Sequence, residues 1–159
     1  MKTQYKISIL VLLTAFGLLG NSQAQEGHHS GLHCTLSAKK EQSLTKEQRD
    51  EERLSCLKKK ANQLSLKKCL NDAQDMEYST IADEARLLCL DVASPTLTVG
   101  QCSLVAKSME YEDNADDVLW ECIQHFGHRL TKNQCLSFGH RMNYPANQER
   151  SVDYCNDEL

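Results

Sequence analysis

Cysteine spacing constrains the fold of this chain more than any other feature of its sequence. From Cys56 onward, seven cysteines follow one another at alternating 13-residue and 20-residue gaps, so the pattern has a fixed 33-residue period. The remaining cysteine, Cys34, lies 22 residues before Cys56. A fixed period of this length is the signature of a tandem repeat. The spacing therefore predicts a short array of similar units within one domain, at residues 34–159.

Two short helices are predicted in each unit. In one second half, Val118, Leu119, Cys122, Ile123 and Phe126 follow one another at the spacing of a single helical face. The first halves of the last two units begin with a Thr, Thr98 or Thr131, that is followed three residues later by Gln. This capping-box pattern marks the first turn of a helix. These signals predict an all-α fold of 33-residue αα repeats, a solenoid-like array of disulfide-stapled antiparallel helical hairpins with units at about 34–56, 69–89, 102–122 and 135–155.

Three further positions recur after the first cysteine of each full unit: a small residue at the fourth place, Met at the seventh and Tyr at the ninth. The small residue allows a neighbouring helix to approach closely, and the Tyr lies at the turn between the two helices. Repeat arrays bind partners through equivalent positions, and tyrosine suits such contacts. Tyr78, Tyr111 and Tyr144 are therefore candidate partner-binding residues, together with Trp120; packing within their own hairpins is the alternative.

The N-terminus has the features of a secretory signal peptide. Lys2 and Lys6 precede an apolar run at residues 7–19, and small residues stand at the expected cleavage positions before Gln25. We expect residues 1–24 to be removed near Ala24, residues 25–33 to form a flexible histidine-containing arm, and the protein to be secreted or periplasmic. The alternative location is the ER lumen, if the C-terminal Asn-Asp-Glu-Leu at residues 156–159 is a retention signal.

The cysteines have two plausible pairing schemes. An even number of cysteines in an exported chain favours disulfides over metal ligands or free thiols. Pairing across the 13-residue gaps would join successive hairpins but leave Cys34 and Cys155 alone at opposite ends of the array. Pairing across the longer gaps uses every cysteine locally, and is the scheme that we expect: Cys34–Cys56, Cys69–Cys89, Cys102–Cys122 and Cys135–Cys155.

Charge is unevenly distributed along the chain. Residues 25–70 hold 10 Lys/Arg and 6 Asp/Glu, a net charge of +4. Residues 71–159 hold 6 Lys/Arg and 16 Asp/Glu, a net charge of −10. Such an acidic body argues against nucleic acid as the main partner. No apolar run after the N-terminus reaches membrane length, so we expect a chain that does not span a membrane. The oligomeric state stays open.

Histidines suggest metal binding as an alternative function. They fall into two groups: His28, His29 and His33 in the arm, and His125, His128 and His140 near the last two units. Histidine-rich tracts bind Zn, Cu or Ni. A zinc site near residues 125–140 would need cysteines that otherwise complete a regular series of disulfides. The alternative for the arm is that its histidines have no role in binding. We therefore expect no cofactor.

Catalytic motifs are absent from the sequence. There is no Gly-x-Ser-x-Gly, no Cys-x-x-Cys and no phosphate-binding loop. The acidic run at residues 110–117 lacks the pattern of a calcium-binding loop and is interpreted as favouring the N-terminus of the following helix. The sequence leaves enzymatic activity undecided and favours a non-enzyme.

The predicted architecture resembles that of disulfide-bridged helical-hairpin repeat proteins. Their repeat period is longer and their cysteines are more closely spaced, and the resemblance implies no activity for this chain. The leading hypothesis is an exported, non-enzymatic scaffold that binds a protein or peptide partner through one face of its array. The first alternative is an exported metal-binding protein that uses the histidines. The second is a secreted hydrolase or inhibitor whose site the sequence does not mark.

Overall fold

Residues 34–159 are described by the computed structural model; residues 1–33, with the predicted signal peptide and histidine-containing arm, lie outside this range. Within the described part, all regular structure is helical, which confirms the predicted all-α class. The helices are α1 (Ala38–Ser43), α2 (Lys46–Lys60), α3 (Leu66–Gln74), α4 (Ser79–Ala93), α5 (Val99–Ser108), α6 (Glu112–Phe126), α7 (Lys132–Gly139) and α8 (Pro145–Glu158).

Successive helices pack in pairs: α3 with α4, α5 with α6, and α7 with α8. A disulfide joins the helices of each pair, and Cα–Cα distances of 5.7, 6.0 and 5.7 Å bring the bridged residues side by side. A fourth disulfide joins Cys34, just before α1, to Cys56 in α2. These pairs coincide with those expected from the longer gaps. Each closed loop stabilises the fold by about 3 kcal/mol in the chain-entropy estimate.

The second helices α2 and α4 lie against one another, and so do α6 and α8. The first helices α5 and α7 pack against the second helices of the preceding units, α4 and α6. Val118, Cys122 and Ile123 on the predicted apolar stripe of α6 are 0% exposed. The array thus has a face of first helices and a face of second helices, with the core between them.

Small side chains permit close packing within the hairpins. Ala73, Ala106 and Gly139 are buried at the predicted position four residues after the first cysteine. A Cβ atom on Gly139 would lie 2.5 Å from the Ser151 Oγ atom, closer than real contacts allow. An alanine here would therefore force Ser151 to move or the two helices to move apart, whereas the other two hairpins accommodate alanine.

The links between units follow the predicted start signals. A one-turn 3₁₀ helix forms the first part of each link, at Ala61–Gln63, Ser94–Thr96 and Gly127–Arg129. Capping boxes then begin α5 at Thr98 and α7 at Thr131, as predicted, and a third begins α2 at Thr45. Gly127 has a φ of +41°, a conformation that favours glycine. These local signals fix where each unit begins.

Candidate functional site

Three buried aspartates connect each unit to the next. Asp50, Asp83 and Asp116 occupy the same position in successive units, on α2, α4 and α6, and are 0–1% exposed. We call them the inter-repeat carboxylates. The Asp50 Oδ2 atom accepts hydrogen bonds from the backbone N–H groups of Glu77 (2.7 Å) and Tyr78 (2.8 Å), at the turn of the following unit. An anionic acceptor thus satisfies backbone groups that the turn leaves without partners.

The next carboxylate repeats this arrangement. Asp83 accepts from the backbone N–H groups of Glu110 (2.9 Å) and Tyr111 (3.0 Å), from the Asn114 side-chain amide (2.9 Å) and from the Arg86 guanidinium (2.7 Å). Burial alone would raise the pKa of Asp83, but the hydrogen bonds from Asn114, the two backbone groups and Arg86 outweigh burial, so the pKa lies below its ordinary value. The buried carboxylate is therefore held in its charged form.

Asp116 performs the same role for the last unit. It accepts from the backbone N–H groups of Asn143 (2.6 Å) and Tyr144 (3.0 Å) and from the side-chain amides of Asn143 and Asn147, both at 3.0 Å. Burial opposes ionisation, yet the bonds from Asn147, Asn143 and Tyr144 outweigh it and lower the pKa. The equivalent position in the unit at 135–155 is Glu149, which is exposed and accepts no hydrogen bond from a turn within residues 34–159.

The inter-repeat carboxylates position the candidate tyrosines. Tyr78, Tyr111 and Tyr144 are the N-cap residues of α4, α6 and α8, and their side chains are 42%, 43% and 45% exposed. Because each tyrosine N–H is held by the carboxylate of the preceding unit, the three rings start from equivalent, fixed backbone positions. We call this row the tyrosine edge. Its role in binding stays a prediction.

Trp120, the fourth candidate, lies at the contact of α6 with α8. Its ring meets the Tyr154 ring edge-on at 5.5 Å, and the Arg150 guanidinium lies 4.1 Å from its centroid. Trp120 is partly buried and belongs to the apolar packing around the core. These contacts hold the side chain against its own chain, and its use as a binding anchor stays a prediction.

The face of first helices carries a groove between α3 and α5, which we call the α3–α5 groove. It has a volume of about 830 Å³ and an apolar strip made by Leu66, Leu70 and Leu104. The Arg86 side chain, 5% exposed, also lines it, and Glu110 lies at the end nearest the tyrosine edge. A volume of this size is in the range of sites that hold a ligand or a few partner side chains.

Leu104 is the most exposed large apolar side chain of residues 34–159, at 61%. The equivalent positions in the other two full units hold Asn71 and Ser137. The repeat fold therefore does not require an apolar residue here. Sequence reasoning missed Leu104 because it lies outside the periodic apolar stripe, although a comparison of the units at this position gives the signal.

The candidate metal ligands are not brought together. In the described range, no group of three or more His, Cys, Asp or Glu residues is arranged to hold a metal ion, and each cysteine is in a disulfide. His125 instead lies beside Ser94, with Nδ1 3.4 Å from its Oγ atom, while His128 and His140 are exposed at the ends of helices. His28, His29 and His33 lie outside the described residues, so metal binding by the arm stays a prediction.

Acidic residues of the run at 110–117 have two different roles. Glu112 and Asp113 lie in the first turn of α6, where the interpretation from sequence placed the whole run. Asp116 differs because it is buried and binds the next unit rather than its own helix terminus. The C-terminal Asn-Asp-Glu-Leu continues to the end of α8, and Leu159 is 37% exposed.

Comparisons with known proteins add no functional assignment. No family model, no curated protein and no solved structure matches the chain significantly. None of the helices described is long and apolar enough to cross a membrane. What the fold and the site define is a disulfide-bonded, all-α protein with exposed apolar and tyrosine surfaces.

Proposed function

We propose that this protein is an exported, non-enzymatic helical repeat scaffold that binds a protein or peptide partner through the α3–α5 groove and the adjoining tyrosine edge. The observation that carries the proposal is Leu104, which is 61% exposed within the groove. Burying a leucine side chain against a partner contributes about 1.5–3 kcal/mol. An exposed leucine that the fold does not need is thus a source of binding free energy.

The composition of the groove suits an apolar peptide segment. Leu66 and Leu70 line one wall and Leu104 the other, while polar side chains of both helices, such as Gln74 and Gln101, surround the strip. An apolar centre with a polar rim is the usual arrangement of a partner-binding surface. The occupant that fits best is therefore one or two apolar side chains of a peptide, flanked by backbone that can hydrogen-bond to the rim.

The tyrosine edge extends this surface. Glu110 lines the end of the α3–α5 groove and directly precedes Tyr111, so a peptide leaving the groove would meet that ring. Tyrosine contributes large contact area at little entropic cost. Because Asp83 fixes the backbone of both residues, the rim is ordered before binding.

Export is proposed from the disulfides together with the N-terminus. Four disulfides in a chain of this length are typical of an oxidising compartment. Mass spectrometry of the protein from an exporting host is expected to give an N-terminus at Gln25 and a mass with every thiol oxidised. A chain that keeps residues 1–24 or contains free thiols would contradict the proposal.

The binding proposal is tested with a displayed library of random short peptides, selected on the immobilised oxidised protein. Enriched peptides are synthesised and titrated by calorimetry against the wild type and against Leu104→Asn, which installs the residue of the equivalent position Asn71. We expect Leu104→Asn to weaken binding about tenfold, which corresponds to about 1.4 kcal/mol, without lowering the melting temperature.

The matched control is Ser137→Asn, which places the same side chain at the equivalent position of the next unit. It is expected to leave both affinity and stability unchanged. Equal affinity of Leu104→Asn and the wild type for every enriched peptide would remove the α3–α5 groove from the proposal. Enrichment of no peptide at all would count against the scaffold function itself.

A further inference from the structure

A second cleft lies on the opposite face of the array, between the second helices α4 and α6. It has a volume of about 470 Å³, and we call it the α4–α6 cleft. Its apolar lining includes Leu87 and Leu88, which are half-buried, and Leu90 and Leu97, which are buried. The cleft is therefore a concave apolar surface of a size that holds a ligand or side chain.

The charged side chains of the cleft are mostly acidic. Lys58 of α2 and Glu84 of α4 form an ion pair at 2.6 Å, which neutralises both. Asp91 of α4 and Glu121 of α6 also line the cleft, and within residues 34–159 neither side chain has a hydrogen-bond or ion-pair partner. The titratable group that completes the lining is His125. Two carboxylates without a cation thus border an apolar cavity.

Burial and nearby negative charge disfavour the ionised form of Glu121. The pKa of Glu121 is raised by burial and by the neighbouring charges of Asp117 and Asp91. A positive charge placed between Asp91 and Glu121 would relieve this repulsion. The electrostatic complement of the cleft is therefore a cation.

The neighbouring pair of second helices shows how the same space is filled elsewhere. Between α6 and α8, Trp120 packs against Tyr154, and Arg150 covers the Trp120 ring at 4.1 Å. At the equivalent positions between α4 and α6 stand Leu87, Glu121 and Asp117. The smaller leucine and the flexible glutamate leave open the space that an indole and a phenol occupy one unit later.

The α4–α6 cleft differs from the α6–α8 contact in charge as well as in side-chain volume. The chain supplies its own cation, Arg150, over the filled α6–α8 contact, whereas the equivalent position beside the α4–α6 cleft is acidic Asp117. The cleft therefore lacks both the apolar bulk and the positive charge that complete the next contact. An external group that supplies both is its complement.

We propose that the α4–α6 cleft binds a lysine or arginine side chain of a peptide or protein partner. The alkyl stem lies against Leu87 and Leu88, and the cationic head lies beside Asp91 and Glu121. Long basic side chains bury their methylene groups on apolar surface while the charged end reaches polar groups at the rim. This inference rests on the proposed role as a partner-binding scaffold, but uses a different face from the α3–α5 groove.

The test uses the peptide selection described above, because the enriched sequences report what the cleft prefers. We expect a class of peptides that share a Lys or Arg next to apolar residues. The affinity of these peptides for the double variant Asp91→Asn, Glu121→Gln is expected to be about tenfold lower than for the wild type, because both unpaired carboxylates are removed. The matched control, Asp153→Asn with Asp157→Asn, removes the same charge from exposed positions of α8 and is expected to leave the affinity unchanged.

Three further measurements examine the ligand and the shape of the cleft. Replacing the basic residue of the peptide by norleucine keeps the alkyl stem and removes the charge. The norleucine peptide is expected to bind the wild type and the double variant with equal affinity. Leu87→Trp copies the side chain at the equivalent position, Trp120, and is expected to fill the cleft, keep the melting temperature and abolish binding. Butylammonium alone is expected to bind far more weakly than the peptide.

The outcomes separate this inference from the proposed function. Peptides whose affinity depends on Leu104 but not on Asp91 and Glu121 would overturn the cleft proposal and leave the α3–α5 groove intact. The reverse dependence would support the cleft and contradict the groove. Norleucine peptides that bind as tightly as basic ones, or butylammonium that binds as tightly as the peptide, would overturn a basic side chain of a partner as the occupant.

Discussion

Removing one inter-repeat carboxylate is expected to weaken the attachment of the following hairpin. In Asp116→Ala, the backbone N–H groups of Asn143 and Tyr144 lose an anionic acceptor at 2.6 and 3.0 Å. Each lost bond of this kind costs about 1.5 kcal/mol when the donor stays partly buried. The amides of Asn143 and Asn147 can turn toward solvent and add little, so the expected loss is about 3 kcal/mol.

The assay is urea unfolding of the oxidised protein, followed by far-UV circular dichroism, with disulfides intact in every variant. Hydrogen exchange at the Tyr144 amide reports whether the loss is local to the last hairpin, as the hydrogen bonds predict. The matched control is Glu149→Ala, at the equivalent position of the last unit. Since Glu149 is exposed and accepts no hydrogen bond from a turn within residues 34–159, its removal is expected to change the free energy of unfolding by less than about 0.5 kcal/mol.

Two results would refute this reasoning. If Asp116→Ala unfolds within about 0.5 kcal/mol of the wild type, the buried carboxylate contributes no net stability between units. If Glu149→Ala destabilises as strongly as Asp116→Ala, the effect arises from the helix on which the acid lies rather than from the turn that it binds. Faster exchange of Tyr144 in Asp116→Ala alone would support the interpretation.

Acid is expected to destabilise the array because the pKa values of Asp83 and Asp116 are lowered in the folded protein. The stability that these two carboxylates contribute is complete above the pKa of an unfolded Asp, about 4, and is lost as the pH falls through their lower pKa values in the folded protein. A melting temperature that stays constant from about pH 5 to pH 2 would argue against this. Gly139→Ala is expected to cost about 1–3 kcal/mol, because the added Cβ would lie 2.5 Å from Ser151 Oγ, and a second change, Ser151→Ala, is expected to restore part of that loss in urea unfolding. Equal stability of the single variant and the wild type would contradict a tight contact between α7 and α8 at this position. Cys102→Ser is expected to leave its partner thiol unpaired and to give disulfide-linked dimers on non-reducing gels, whereas a monomer with unchanged melting would contradict the importance of that bridge.

The helical architecture was predictable because its signals are local and periodic. The spacing of Cys102 and Cys122 indicated two helices joined side by side, and Thr98 and Thr131 marked helix starts that the structure confirms. Such signals depend on residues three to four apart or on one repeated interval, which a single sequence displays directly.

The contacts between units were not predicted, although their spacing was visible. Three successive units have an Asp at this position, Asp50, Asp83 and Asp116, but a charged residue on a helix is usually exposed. Nothing in the sequence shows that a turn 27 residues later supplies the hydrogen-bond donors. Leu104 was missed for the opposite reason, since an apolar residue outside the stripe carries no periodic signal. Both depend on how units pack, which local patterns do not encode.

The inter-repeat carboxylates give the array a direction. Asp50 in the first unit binds the turn of the second, and so on to Asp116, so that every interface has an acceptor on its N-terminal side and donors on its C-terminal side. The turn of each hairpin therefore takes its acceptor from the unit before it, and without that unit its two backbone N–H groups would lack this partner. The same polarity means that evolution can lengthen such a protein by duplicating a whole 33-residue unit, because each copy brings one acceptor and one set of donors in matching register.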